Sequence, residues 1–521
     1  MAAKPPFRRL LIANRGEIAV RIQRTCRDLG VDTVAVFSEP DRDALHVRFA
    51  HHAIGLGGKT AAESYLRADK IIAAARRSGA EAIHPGFGFL AENAEFARAV
   101  AAAGLAFIGP PPAAMETMGD KLRARQAMIA ANVPVVPGTT EPVADAAEAV
   151  RVARGLGFPV MLKASAGGGG KGIRVVRSAE ELPSAFRTAS GEAQSAFGDG
   201  RMYLEKLLDE PRHVEVQVLG DRHGCVLHFG ERECSIQRRH QKLLEECPSP
   251  ALDAAARARM GATAVAAAQA VGYFSAGTVE FLWSRGEFYF LEMNTRIQVE
   301  HGITEEVYGV DLIEQMIRVA AGERVDHLVG SVPRGHAIEV RLNAEDPEKS
   351  FMPSLGRVTN LRLPGGPGVR VDSGMYHGME VTPYYDSLLA KLIAHGRDRE
   401  QARRRMLRVL QELHVGGVTT SAGIAMQVLQ SAEFRSGNYD TGTLERLRAA
   451  GDAAPPAAAG DDLEEVAAIV SALHRQHTAA RKSLRRGEGG GWGGGRGGAG
   501  GGGGLAPWVA AHRAARLGGR R

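Results

Sequence analysis

Cysteine is scarce in this chain of 521 residues: Cys26, Cys225, Cys234 and Cys247 are scattered, and no two form a Cys-x-x-Cys pair. That pattern excludes a disulfide framework and a zinc ribbon, and it is the usage expected of a reducing, cytoplasmic compartment. No apolar run approaches the roughly 20 residues that a spanning helix needs, so no membrane span is expected. The start, Met1 to Arg9, leads straight into a strand pattern and lacks the apolar core and cleavage site of a signal peptide. The first turn, Asn14-Arg15-Gly16, is not a GxGxxG, which argues against a dinucleotide fingerprint. A large excess of positive charge is also missing from the body. The formal net charge is +6, but ten Lys/Arg against six Asp/Glu fall from Ala449 onward, which leaves about +2 for the rest. A nearly neutral body is a poor match for a nucleic-acid binder, and none is expected as a partner.

What is present reads as a multidomain soluble enzyme. Hydrophobic content of 44% and charged content of 24% are ordinary for a globular protein, and the length suffices for three or four domains. The opening runs strand (Arg9 to Ala13), turn, helix (Glu17 to Leu29), strand (Thr33 to Phe37), a βαβ unit of an open, mostly parallel sheet. A second unit starts near Lys121. It contains Pro159 to Val176, which reads as strand, glycine loop, strand: a hairpin rather than the strand-loop-helix of a Walker A motif. A third unit covers Tyr203 to about Arg318 and a fourth His336 to about Arg448. Beyond it come a Pro/Ala linker, an amphipathic helix over Asp461 to about His477, and a glycine tract from Gly487 to Gly504 with too few side chains to build a core.

Several segments carry chemistry. Glu292-Met-Asn-Thr-Arg-Ile-Gln-Val-Glu300 sets two carboxylates, two side-chain amides and a guanidinium in nine residues. Period-2 alternation puts Glu292 and Asn294 on the face of Phe288 and Phe290. Such hard oxygen donors suit Mg²⁺, Arg296 suits an anion, and Glu300 is left over as a proton acceptor. The turn at Ser284-Arg285-Gly286 folds Glu280 opposite Glu292, and two buried carboxylates facing each other call for a cation between them.

The glycine loop Gly167 to Gly172, flanked by Lys163, reads either as a flexible hairpin tip or as a phosphate cover. Tyr203 to Leu208 is either an ordinary strand or a hinge pairing with a base edge. The His213/Glu215 face is either solvent-exposed or lines a nucleotide cleft. Glu231 to Lys242, rich in phosphate- and carboxylate-binding donors, is interrupted by Cys234, Ile236 and His240, as a partly buried strand would be. Cys234 itself reads as a buried structural thiol.

Together these segments resemble biotin carboxylase, an ATP-grasp enzyme, over about residues 7–447. The motifs are Ile12 to Ala19, His84 to Asn93, Met118 to Lys121, the glycine loop, Glu231 to Lys242, Glu292 to Glu300, Arg341 to Pro347 and Tyr384 to Ser387. The resemblance implies an α/β and α+β multidomain fold. An N-terminal open parallel-sheet (pre-ATP-grasp) domain would occupy 1–118, and an ATP-grasp domain 119–320, with a mobile lid at about 135–205. A biotin carboxylase C-terminal domain would occupy 334–447, before a tail at 448–521.

It further implies that Lys121, Lys163, Gly169 and Gly170 contact ATP phosphates. Glu205, Lys206, Leu207 and Leu208 would hold the adenine, His213 the ribose region, and His240 and Lys242 the nucleotide or bicarbonate. Glu280, Glu292 and Asn294 would bind Mg²⁺ or Mn²⁺. Arg296, Gln298 and Val299 would hold bicarbonate, Glu300 would be the general base, and Arg341 would stabilise the biotin enolate.

Two departures are visible: Phe87 stands where many relatives have tyrosine, and Pro367 replaces an aromatic at a region used for dimer contacts. No Met-Lys-Met biotin-attachment site occurs in the chain. The biotin is therefore expected on a separate biotin carboxyl carrier protein, with carboxyltransferase subunits as further partners and a homodimer as the assembly. The expected activity is the first half-reaction of an acetyl-CoA carboxylase, with a propionyl-CoA, other acyl-CoA or pyruvate carboxylase as alternatives. Another ATP-grasp ligase and a catalytically silent scaffold are the remaining readings. The tail helix, with Leu463, Val466, Ile469, Val470 and Leu473 at helical spacing, either docks a partner or frays.

Overall fold

The computed structural model describes residues 5–165, 172–239 and 241–452. Gly169, Gly170, His240 and the tail from 453 onward, all named above, lie outside the described residues.

The first sheet is parallel and five-stranded, in the order β3-β2-β1-β4-β5. Its strands are β1 (Arg9–Ile12), β2 (Asp32–Phe37), β3 (His52–Gly55), β4 (Ala82–His84) and β5 (Ala106–Phe107). The expected βαβ unit is there: α1 (Gly16–Asp28) joins β1 to β2, whose register pairs Leu11 with Val34. Both faces of β1 are buried, as a parallel strand requires. Leu10 and Ile12 pack with Ile18 and Ile22 of α1 and with Leu312, Ile313 and Ile317 of the helix Leu312–Ala320. Leu11 faces the other way, among Val34, Ile71 and Phe96.

A small antiparallel sheet follows, in the order β7-β6-β8, from β6 (Val160–Ala164), β7 (Ile173–Val176) and β8 (Met202–Lys206). The hairpin β6–β7 matches the strand, loop, strand reading, with Lys163 opposite Ile173 on one side and Tyr203 on the other. The helices Ala146–Leu156 and Leu182–Phe197 flank it, and Ala149, Ala153, Leu162, Ala189 and Leu204 form a core of its own.

The largest sheet is antiparallel and eight-stranded. It comprises β9 (Arg212–Gly220), β10 (Val226–Arg238), β11 (Gln241–Cys247), β12 (Ser275–Ser284), β13 (Glu287–Asn294) and β14 (His336–Asn343), with the strands Val369–Ser373 and Leu388–Gly396. The order is β13-β12-β9-β10-β11-β14, then Leu388–Gly396, then Val369–Ser373. Leu244 of β11 pairs with Val340 of β14, so the sheet is continuous across the expected boundary between 320 and 334.

One expectation fails in this sheet. Glu280 does pair with Glu292, but Phe281 pairs with Phe290, so Leu291 is an extra residue in β13. This β-bulge inverts the alternation. Phe288 and Phe290 face the apolar core with Phe281 and the helix Ala254–Ala270, whereas Glu292 and Asn294 face the other side, not the phenylalanine face. Among the described residues no helix is long and apolar enough to cross a membrane.

Candidate active site

The polar face of the large sheet carries a row of charges that follows from strand register alone. Arg232 of β10 pairs with Glu215 of β9, Glu215 with Glu280 of β12, and Glu280 with Glu292 of β13. Adjacent strands place such partners within about 5.5 Å, so three carboxylates stand side by side. Arg232 and Glu215 are fully buried and Glu280 nearly so. The alternation at His213 and Glu215 therefore marks a buried face, not a solvated one.

Lys242 of β11 is the centre of this face. Its Nζ lies 2.5 Å from Glu215 Oε2, 2.9 Å from Glu280 Oε1 and 2.8 Å from Glu300 Oε1. Burial disfavours the ammonium, but the three carboxylates hold its pKa well above the ordinary lysine value. Burial likewise disfavours the Glu280 carboxylate, yet Lys242 and His213, whose Nε2 lies 2.8 Å from Glu280 Oε2, hold it down. Glu292 moves the opposite way: burial and the neighbouring charge of Glu280 raise it, and Lys121 only partly offsets them.

That imbalance identifies where a cation fits. Glu215 has Arg232 at 2.5 Å and Lys242 as direct partners, although burial and Glu300 still raise its pKa, whereas Glu292 has no cation within ion-pair distance among the described residues. Glu280 and Glu292 are the facing pair with negative charge in excess, and a divalent ion held by both would relieve it. Asn294 adjoins them through Nδ2, which donates to Glu280 Oε1 at 2.8 Å. His213, Glu215 and Glu280 also converge closely enough to hold an ion, as do Glu215, Cys234 and Glu300. In the last group burial pushes the Cys234 thiol well above its usual range, which keeps it protonated and a poor ligand.

The residues expected to hold an anion lie beside this row. Arg296 reaches Glu92 Oε2 at 3.1 Å, Gln298 Oε1 at 2.8 Å and Asn294 Oδ1 at 2.8 Å. Gln298 Nε2 donates to Glu280 Oε1 at 2.9 Å. Glu300 is fully buried and is not a spare carboxylate: Lys242 holds one oxygen and Arg341 Nη2, at 2.9 Å, holds the other. Burial would raise its pKa, but these two cations, with Arg232 behind them, keep it well below the usual carboxylate range. Arg341 in turn donates to Glu245 at 2.6 Å.

Among the residues expected to meet the nucleotide, Lys163 Nζ is 2.5 Å from Glu205 Oε2, and Arg125 Nη1 is 3.1 Å from Glu205 Oε1. Burial lowers the Lys121 pKa, and Glu292 opposes that shift. In the expected hinge, the Lys206 amide donates to the Pro137 carbonyl and the Leu207 amide to that of Pro159. Lys206 Nζ donates to Gly157 O at 2.8 Å.

The structure thus brings Lys242, Glu280, Asn294, Arg296, Gln298, Glu300 and Arg341 into one hydrogen-bonded network, with Glu292 opposite Glu280 in strand register. Sequence reasoning left Glu92, Glu215, Arg232 and Glu245 out of the site. Glu92 and Arg232 stand inside motifs already singled out, and the alternation at His213 marked Glu215. Glu245 had no local signal beyond its buried strand.

Comparison with known proteins agrees with this architecture. Residues 6–115 match the family model described as biotin carboxylase, N-terminal domain. Residues 120–328 match carbamoyl-phosphate synthase L chain, ATP binding domain, and residues 339–446 match biotin carboxylase C-terminal domain. The chain is 52% identical over 443 residues to the biotin carboxylase of Nostoc sp., covering 85% of this chain and 99% of that one. It is 50% identical over 448 residues to a pyruvate carboxylase subunit of Methanothermobacter thermautotrophicus, covering 86% of this chain and 91% of the relative. Among solved structures it is similar to the biotin carboxylase domain dimer of Hydrogenobacter thermophilus 2-oxoglutarate carboxylase, in complex with ADP, its magnesium salt and bicarbonate. That match has a TM-score of 0.82 and 47% identity, and covers 86% of this chain and 99% of the other.

Proposed function

This chain belongs to the biotin carboxylase family, and on that premise we propose that it uses ATP and bicarbonate to carboxylate biotin presented by a separate carrier protein. The observation that carries the proposal is Glu300 clamped between Lys242 and Arg341, beside Arg296.

Bicarbonate is a weak nucleophile. Arg296, Gln298 and the Val299 amide hold it, and Glu300 takes its proton as its oxygen attacks the γ-phosphorus of ATP. The γ-phosphorus–oxygen bond to ADP breaks, and carboxyphosphate forms. Lys163 and Lys121 neutralise charge on the phosphates, with Lys242 at the junction. A divalent ion on Glu280, Glu292 and Asn294 would supply charge neutralisation for the phosphoryl oxygens. Carboxyphosphate then releases CO₂ and phosphate, and the phosphate removes the ureido N–H proton. Arg341 offsets the negative charge on the ureido oxygen while the nitrogen attacks CO₂. Glu205 to Leu208 and His213 are assigned to the adenosine, Gly169 and Gly170 to the phosphates, and His240 to the nucleotide or bicarbonate.

The carrier and carboxyltransferase subunits are the proposed partners, a homodimer the proposed assembly and the cytoplasm the proposed location. Acetyl-CoA is taken as the final acceptor, with propionyl-CoA, another acyl-CoA and pyruvate as alternatives decided by the carboxyltransferase that co-purifies. The test of the activity is ADP release by the purified chain. It should require bicarbonate, rise with free biotin, and need neither ammonia nor glutamine. ADP release driven by ammonia or glutamine in place of biotin would replace this reading with a different ligase.

A further inference from the structure

Lys391 lies in none of the motifs singled out, yet it is fully buried beside the site. It sits on the strand Leu388–Gly396, opposite Arg341 on one neighbour and Asp372 on the other. Its Nζ donates to the carbonyl of Val299 at 2.7 Å. The carboxylates within reach are more distant: Glu17 Oε2 at 3.5 Å and Asp372 Oδ2 at 3.8 Å. Asp372 is already taken by Arg370 Nη2 at 2.8 Å. Glu17, at the start of α1, is buried, and among the described residues neither of its carboxylate oxygens accepts a well-formed hydrogen bond. It reaches this position because the α1 terminus runs against Gly374, where a Cβ would meet Gly16 C at 3.1 Å and Glu17 N at 3.2 Å.

A buried ammonium held by one carbonyl and long ion pairs is poorly compensated, and replacing such a group by an apolar side chain is often neutral or stabilising. Stability alone therefore does not account for it. The carbonyl it holds belongs to the peptide between Val299 and Glu300. Fixing that peptide plane fixes the last dihedral of Val299 and the first of Glu300, and with them the direction in which the Glu300 side chain leaves the chain. Among the described residues the Glu300 backbone is otherwise tied at its far side, where Ile303 N donates to Glu300 O at the start of the helix His301–Tyr308.

We propose that Lys391, whose nearest carboxylate is Glu17, is a positioning residue that acts through the Val299 carbonyl to aim the Glu300 side chain at bicarbonate. The inference rests on the bicarbonate chemistry proposed above. It adds a residue that acts through the Val299 peptide and touches no substrate.

The test uses the full chain, with free biotin as acceptor, and three proteins: wild type, Lys391→Met, and Lys391→Met combined with Glu17→Gln, which removes both buried ionisable groups. Wild-type ADP release is measured first; if it does not depend on bicarbonate, the proposed function fails and the positioning role is moot with it. Given that dependence, kcat/KM for bicarbonate should fall by roughly 10-fold or more in both variants, the scale of a small misplacement of a catalytic group. The Kd for ATP, measured by calorimetry, should stay within about twofold of wild type. If the single variant does not fold, the double variant decides. A double variant with wild-type kcat/KM for bicarbonate, an equal loss of ATP affinity, or no folded protein at all would each overturn the positioning role and leave Lys391 a structural residue.

Discussion

Lys242 Nζ stands 2.8 Å from Glu300 Oε1 and 2.9 Å from Glu280 Oε1, so one ammonium joins the proposed general base to the proposed metal carboxylate. The two halves of the site are therefore electrostatically coupled, and neither carboxylate titrates as an isolated group. Glu300 is ionised in the folded chain because two cations stabilise its charged form. It is thus ready to accept a proton, at the cost of low intrinsic basicity.

Replacing Glu300 by Gln keeps the shape and removes the proton acceptor. ATP affinity should persist, while bicarbonate-dependent turnover should drop by about 10²–10⁴-fold, the usual worth of a general base. Steady-state ADP release alongside calorimetric ATP binding checks both halves. Wild-type turnover in this variant would remove Glu300 from the base role.

Lys242→Met should act on the pH profile as well as the rate. Without its nearest cation, Glu300 loses a stabiliser of its charged form, so its pKa rises. The acidic limb of kcat/KM for bicarbonate should then move to higher pH, and activity should be lost sooner on acidification. An unmoved limb in the residual activity would separate Lys242 from the ionisation of Glu300.

Arg232 tests the scaffold beneath the site. It is fully buried, with Nε 2.5 Å from Glu215, Nη1 at 2.7 Å from Gln217 and 2.9 Å from Thr304, and Nη2 at 3.1 Å from Thr278. Arg232→Met strands those acceptors and should destabilise the chain by about 3–5 kcal/mol. Arg285→Ala removes an exposed pair with Asp209 and should cost no more than about 1 kcal/mol. Parallel thermal melts of the two variants make the comparison.

The legible parts of this site were those set by local pattern. The β6–β7 hairpin, the β12–β13 turn and the pairing of Glu280 with Glu292 follow from alternation and turn residues, and the structure has all three. The bulge at Leu291 was not legible, because an inserted strand residue has no composition signature, and it reversed the face assigned to Glu292 and Asn294. Long-range partners were hidden for another reason. Glu92 meets Arg296 across 204 positions of sequence and Lys391 meets Val299 across 92, distances over which no periodicity carries information. The charge run Glu231 to Lys242 was legible as a partly buried strand from its interruptions, but the strand partners that neutralise it, such as Glu215 for Arg232, were not.

Glu92 accepts from the Thr295 amide at 2.8 Å through one oxygen and from Arg296 Nε at 3.1 Å through the other. It thereby orients the arginine assigned to bicarbonate. Glu92→Gln retains an acceptor for Thr295 but loses the charge facing Arg296, so KM for bicarbonate should change several-fold while Kd for ATP stays constant. A larger change for ATP than for bicarbonate would place Glu92 elsewhere in the mechanism.

Glu17 gives a pH-dependent signature. Burial pushes its pKa up to about 7, even with Lys391 nearby to pull it down. An unfolded glutamate titrates near 4.3, so between about pH 4.3 and 7 the folded chain holds a proton that the unfolded chain has released. Stability from this group is complete below that window and is lost as pH rises through it, by about 4 kcal/mol in all. Glu17→Gln cannot ionise and escapes the loss. Its melting temperature should match wild type near pH 4 and exceed it progressively up to about pH 7, with the gap level above that. Glu245, also raised to about 7 by burial, has the same sign in both proteins and cancels from the difference. A gap that stays constant from pH 5 to 8 would mean that Glu17 is already ionised in the folded chain, with Lys391 neutralising it fully.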